Sequence, residues 1–206
     1  MLASHLQRPV VIAEHGMVAT SHPLAVQSGA AILKAGGNAV DAAIAANAMV
    51  ALMQPMSGGI GGDPNRLEPH KRPFHTIMPA MVTRDGRPWF CFGVVGGDMQ
   101  PQAHVQVLVN LIDFGLDAER AGAAPRLFHT GHPEPTGQPG DPAGGLISLE
   151  PGIPEDVATA LRAKGHRVQT EQTVGFGGYQ GILIDWDHGT LQGGSDPRQD
   201  GCAMGY

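Results

Sequence analysis

The sequence predicts a mixed α+β fold with a mainly antiparallel sheet. Three observations carry this. Two alanine-rich stretches with helical character stand side by side near the start. An Asp85-Gly86 pair separates two apolar runs further on. Helices and strands then follow in blocks, without the strict βαβ alternation that builds a parallel sheet.

Residues 21–33 predict the first helix. Ser21 can cap it, and Pro23 suits the first turn, where a missing N–H costs nothing. Leu24, Gln27, Ala31 and the Ile32-Leu33 pair give a stripe at helical spacing. Gly36 and Gly37 stop it, since glycine tolerates a left-handed C-cap. Asn38 then caps a second helix over residues 39–53, ending before Pro55. Its side chains are small and apolar nearly all round, which predicts burial, and the short turn predicts a close helical hairpin.

Residues 57–63 read S-G-G-I-G-G-D, a loop whose backbone can approach a ligand or another segment. Residues 64–73 are polar and irregular. The change of character sets a boundary near Asp63–Pro64, dividing the chain into segments 1–63 and 64–206 of one domain. Residues 77–95 read as a β-hairpin around Asp85-Gly86. A helix is expected over residues 102–114, with His104, Val107, Leu108 and Leu111 on one face and Gly115 behind it. Asp117 caps a short helix to Ala124. Residues 129–145, rich in Pro and Gly, read as a loop, and residues 146–149 as a short strand. A helix over residues 154–163 is closed by Gly165. Residues 166–169 can form a strand, and residues 181–186 and 189–192 a last hairpin around Asp187-His188.

Composition narrows the function classes. The 206 residues include 30 Gly and 17 Pro, only 16% are charged, and 42% are hydrophobic. That is enough apolar content for an ordinary core, and it excludes a charged disordered chain and a coiled coil. A net charge of -6 with 13 scattered Lys and Arg argues against a nucleic-acid or anionic-membrane partner. Cys91 and Cys202 cannot make a disulfide framework. The sequence contains no apolar run long enough to span a bilayer, and its first residues lack a secretory pattern, so a cytoplasmic protein, or one from which a signal has been lost, is expected.

Several constellations invite chemistry. Gly58 to Gly62 lacks the strand-before, helix-after context of a dinucleotide loop. The ten histidines contain no H-E-x-x-H pattern, and His129 and His132 lie in a Pro- and Gly-rich stretch, so no metal and no cofactor is expected. Gly96-Gly97 ends an apolar strand just before a helix. Such a pair can present backbone N–H groups to a developing oxyanion, or simply make a tight turn. His75-Thr76, at the mouth of the hairpin, offers an imidazole and a hydroxyl that can hold a substrate carboxylate or bond the local backbone. Asp196 and Arg198 can pair with each other or tie down the C-terminal segment.

Several motifs together resemble one family. G-M-V-A-T at residues 16–20, G-G-N-A-V-D-A-A at 36–43 and G-G-I-G-G-D at 58–63 are similar to the N-terminal region of the γ-glutamyltranspeptidases. K-R-P-F-H-T-I-M-P at 71–79, Gly96-Gly97, A-P-R at 124–126, S-D-P-R at 195–198 and the final Gly205-Tyr206 resemble the later part of the small subunit, in the transpeptidase-like branch. The resemblance implies a four-layer α/β/β/α sandwich of the N-terminal-nucleophile type. It implies a precursor that cuts itself before a threonine, which then attacks a γ-glutamyl amide with its own amine as base. By resemblance, Gly96 and Gly97 fall on the oxyanion glycines, and His75 and Thr76 fall where paired hydroxyls hold the substrate carboxylate.

The departure from the family is equally specific. The two blocks meet near Asp63–Pro64, and the span that would carry the nucleophilic threonine is missing between them. Thr20-Ser21-His22 imitates a Thr-x-His motif but matches a helix start. The expectation is therefore a γ-glutamyltransferase- or hydrolase-like chain that is inactive alone, with a small γ-glutamyl molecule as its ligand. The alternatives are a non-catalytic module, binding a glutamate-like ligand or assembling with itself or another chain through an open sheet edge, and a shortened gene model without its own function.

Overall fold

The structure, a computed structural model, describes residues 8–54, 69–70, 76–133 and 139–206. Its elements are β1 (Val11–Ala13), β2 (Met17–Thr20), α1 (Pro23–Lys34), α2 (Ala39–Met53), β3 (Ala80–Arg84), β4 (Arg87–Val95), α3 (Met99–Ile112), α4 (Ala118–Ala123), β5 (Leu127–Thr130), β6 (Leu146–Leu149), α5 (Glu155–Ala163), β7 (Val168–Gln169), β8 (Gly178–Asp185), β9 (Thr190–Ser195) and β10 (Cys202–Gly205). Antiparallel pairing joins five strands in the order β1-β9-β8-β4-β3, and β2 pairs with β10 in a separate two-stranded sheet. A third sheet runs β5-β6-β7, antiparallel and then parallel.

Neighbouring glycines on β9 show how the layers stack. A Cβ on Gly193 would run into Met17 and Ala203 of the β2/β10 pair, whereas one on Gly194 would run into the backbone of α4. Successive residues of a strand face opposite sides, so the five-stranded sheet lies between the β2/β10 pair and the α3/α4 layer. Helix α1 packs behind β2 and β10, with α2 against it. The order is helices, small sheet, large sheet, helices.

The core lies on the α3 side of the large sheet. Phe90, Phe92 and Val94 alternate along β4 and meet Met99, Ala103, Val107 and Leu111 of α3, together with Tyr179 of β8. The Phe90 and Phe92 rings stack with centroids 4.6 Å apart. His104 serves this core. Its Nε2 accepts the Val94 N–H at 3.2 Å, beyond the reach of β3, whose pairing with β4 stops at Phe92. Burial holds this imidazole below its ordinary value, as an accepting ring nitrogen requires.

The hairpin turn is as expected: Asp85 and Gly86 have φ of 53° and 77°, the twist that suits a two-residue loop. Asn38 caps α2 with a full capping box, accepting from Val40 and Asp41 N–H while Asp41 accepts the Asn38 N–H. Asp117 caps α4 by accepting the Arg120 N–H at 2.7 Å.

Other expectations need correction. His22, not Ser21, caps α1, its Nδ1 accepting the Leu24 N–H at 3.2 Å. The Ser21 hydroxyl instead donates to Gln54 Oε1 at 2.6 Å and ties α1 to the end of α2. The buried face of α1 is Ala25, Val26, Gly29 and Ala30, whereas Leu24 and Ala31 are exposed. Small residues win there because the backbones approach closely: a Cβ on Gly29 would lie 3.1 Å from both the Ala42 carbonyl and Val18 Cγ1. Helix α2 is not buried all round. Only Ala42, Ala46 and Val50 are covered, and Val40, Ile44 and Leu52 are 66%, 65% and 72% exposed. Helix α3 starts three residues before the expected Gln102, because the glycine turn opens directly into it. His129 and Thr130 belong to β5 instead of a loop. No correction is needed at Cys91 and Cys202, which are free thiols. The junction at residues 63–64 and the loop at 57–63 lie outside the described residues.

Candidate functional site

Strand β4 ends in Gly96-Gly97, and the turn feeds α3. The carbonyls of Gly96 and Gly97 accept the N–H groups of Met99 and Gln100 at 3.1 and 3.0 Å. Gly96 has φ of 132°, which calls for glycine, and Gly97 has φ of 56°, the left-handed region that favours it. At Gly96 the space is also closed, since a Cβ would lie 2.8 Å from Gly177 Cα. Both glycines are exposed, and among the described residues no acceptor takes either N–H. Two unpaired donors at the head of a 14-residue helix suit a negatively charged oxygen.

Thr76 is brought to this turn. The side chain of Gln100, the second residue of α3, donates to the Thr76 carbonyl at 2.9 Å. Thr76 is exposed. His75 lies outside the described residues. Of the residues expected to form the site, three are therefore gathered at the helix head.

Beside the turn runs an open groove of about 400 Å³. Ala19, Thr20 and Ser21 form one wall and Ile77, Met78 and Pro79 the other, over a floor of β4 and β8. Among the described residues, no Asp, Glu, Lys, Arg or His lines it. Its nucleophile candidates are weak. Cys91 faces the groove, but burial against its neighbours pushes the thiol up and disfavours thiolate. Ser21 is engaged with Gln54. Thr20 ends a strand in mid-chain, so it has no free amine to act as its base. This arrangement can bind an oxyanion or a carboxylate, but it activates no attacking group among the described residues.

An ion network supports the turn from behind. Arg126 is 1% exposed. Its guanidinium donates to the Phe176 carbonyl at 2.6 Å, the Gly122 carbonyl at 2.6 Å and Asp196 Oδ2 at 2.7 Å. Asp196 also accepts the Tyr179 N–H at 2.8 Å and the Arg198 guanidinium at 3.0 Å. Arg198 reaches Glu150 as well. Phe176 precedes Gly177, the residue pressed against Gly96, so the network holds the loop that shapes the turn. Asp196 and Arg198 do both things the sequence allowed: they pair with each other and tie the C-terminal segment to α4 and β6. Arg126 and Glu150 were not singled out as partners. The A-P-R motif was a signal for the first, and nothing local marks the second. His129 and His132, with rings 6.5 Å apart, are not joined by a third ligand, and among the described residues no three His, Cys, Asp or Glu converge.

The layers and the glycine turn define a class before they define a family: antiparallel sheets packed face to face between helices, with a donor pair at a helix head beside the inter-sheet space. A model of the family described as Gamma-glutamyltranspeptidase matches residues 25–64 and 63–206. The glutathione hydrolase proenzyme of Escherichia coli K12 is 35% identical over 150 residues, covering 72% of this chain and 23% of that protein. A glutathione hydrolase-like proenzyme of Bacillus subtilis is 32% identical over 193 residues, covering 85% and 35% respectively. Among solved structures, a cephalosporin acylase from Bacillus halodurans superposes with TM-score 0.57 at 40% identity, over 70% of this chain and 25% of that one. A γ-glutamyltranspeptidase from Pseudomonas nitroreducens gives 0.52 at 32% identity, over 70% and 69%. The chain belongs to the γ-glutamyltranspeptidase family. It spans between 23% and 35% of the length of the two curated relatives. No helix among the described residues is long and apolar enough to cross a membrane.

Proposed function

We propose that this chain is a γ-glutamyltransferase- or hydrolase-like protein that keeps the carbonyl-binding half of the site and does not catalyse acyl transfer by itself. The observation that carries the reading is the Gly96-Gly97 turn, whose N–H groups are unpaired among the described residues, beside a groove in which those residues supply no activated nucleophile. In this reading the two N–H groups meet the oxygen of a γ-glutamyl carbonyl, and His75 and Thr76 receive the substrate carboxylate. The chemistry uses no cofactor and no metal. The fold is a partial N-terminal-nucleophile sandwich, supported by the four-layer stacking and by the acylase and transpeptidase structures it resembles. The family model matches in two stretches that meet at residues 63 and 64. That supports an internal junction between segments 1–63 and 64–206, where the nucleophile-bearing span is lost. Cytoplasmic residence belongs to the same proposal.

The test is incubation of the purified chain with a chromogenic γ-glutamyl anilide while intact mass is followed. No anilide release and an uncut chain are expected. Release together with two fragments would reveal a nucleophile and overturn the inactive reading. A second reading, assembly with another polypeptide, is favoured by the edge of β2 beside the groove, which no strand covers among the described residues.

A further inference from the structure

Gln100 touches both halves of the site. It is the second residue of α3 and only 9% exposed. Its backbone N–H donates to the Gly97 carbonyl at 3.0 Å and so helps to close the glycine turn. Its side-chain amide donates to the Thr76 carbonyl at 2.9 Å, although the two residues are 24 positions apart in sequence. Residues 76–79 belong to neither helix nor strand. Pairing of β3 with β4 begins only at Ala80 and Phe92, so the ladder stops short of Thr76 and the Gln100 amide reaches it instead.

The residue type suits this task. A carbonyl needs a donor, which a carboxylate lacks. A helix head favours an acid in its first turn, yet the first turn of α3 carries none. An amide supplies the donor without a charge, so it does not compete as an anion for the Gly96 and Gly97 N–H groups. The bond engages the main-chain oxygen of Thr76 and does not consume its hydroxyl.

We propose that Gln100 is the positioning residue of this site: it fixes the span between the Gly96-Gly97 donors and Thr76, and through that span the site selects the length of an acyl ligand that ends in a carboxylate. The inference rests on the function proposed above and adds the residue that measures the ligand. A segment held in place before binding spares the ligand the cost of ordering it, but only for a ligand whose two ends match the fixed separation. Without the Gln100 amide, Thr76 can follow ligands of several lengths. Selectivity then falls, while the turn keeps its grip on a single negative oxygen.

The test titrates the whole isotope-labelled chain with succinate, glutarate and adipate, and with acetate as a one-ended probe. The three dicarboxylates carry the same charge and either end can meet the turn, so they differ in length alone. The amide resonances of Gly96 and Gly97 report binding. Glutarate has the carbon span of a γ-glutamyl group and should bind about fivefold or more tightly than the other two. Gln100→Met keeps the bulk and removes the donor. In that variant the three affinities should converge to within about twofold, with acetate within about twofold of its affinity for the unaltered chain. The carbonyl carbon resonance of Thr76 should also move in the ligand-free variant, since its hydrogen bond is lost. If Gln100→Met fails to fold, Gln100→Ala is read in the same way. A length preference that the variant retains, or an unmoved Thr76 resonance, overturns the proposal and leaves the proposed function standing. Equal loss of acetate and glutarate binding also overturns it, because the role is then merely structural. A preference for succinate or adipate that the variant erases upholds the positioning role and overturns the γ-glutamyl reading instead. No response of Gly96 and Gly97 to any probe overturns both.

Discussion

Arg126 shows what a single residue carries here. Its side chain is as buried as any in the core, and burial pulls the guanidinium below its ordinary value while Asp196 opposes that pull. Removing the cation leaves Asp196 buried and only partly answered by Arg198. Arg126→Met should therefore cost about 3–5 kcal/mol, since breaking a buried pair strands the other charge. Urea denaturation at neutral pH measures it, and a loss under 1 kcal/mol would show that Arg198 takes over. The sequence marked Arg126, Asp196 and Arg198 as members of motifs, but Glu150 lies in no motif and joins them only through the fold. Gly96 and Gly97 were legible for a different reason. Two glycines between a strand and a helix announce an unusual backbone, though only the structure shows that their N–H groups are unpaired among the described residues.

Among the elements, β5 is the one the sequence hid. Two glutamines one turn apart on α3 stand in for a neighbouring strand. Gln102 accepts the His129 N–H and donates to the His129 carbonyl, both at 2.9 Å. Gln106 does the same for Leu127 at 2.8 and 2.9 Å. A Pro- and Gly-rich context overrode the weak strand signal of four residues, and no local pattern shows a helix side chain pairing with a strand backbone. The double substitution Gln102→Ala, Gln106→Ala should strip exchange protection from the Leu127 and His129 amides while α3 stays protected by its own ladder. Unchanged protection at those two amides would mean that β6 alone holds β5. By contrast the α2 cap was fully legible, because Asn38 and Asp41 bond within one turn.

At the scale of the molecule, the four layers are unequal. Among the described residues the inner small sheet has two strands against five in the large one, and these residues leave part of the large sheet and the outer face of α2 uncovered. Val40, Ile44 and Leu52 lie at four- and eight-residue spacings on that face and are exposed, a ridge of the kind that normally packs. Leu52→Gln together with Ile44→Gln should change monomer stability by no more than about 0.5 kcal/mol, the usual range for exposed sites, while reducing dye binding and aggregation on concentration. A large loss of stability, seen by thermal melting, would mean that the ridge is covered within the chain. The sequence by itself determined the mixed class, the helical hairpin, the Asp85-Gly86 hairpin, the family and the glycine turn, because caps, turns and motifs act within a few residues. Only the tertiary structure decided which face of α1 is buried, which side of α2 stays open, that β1, β2 and β10 exist, and that Tyr206 bonds back to Gly16. Those outcomes depend on backbone approach and on which layers are present to cover a surface, and neither is written in local spacing.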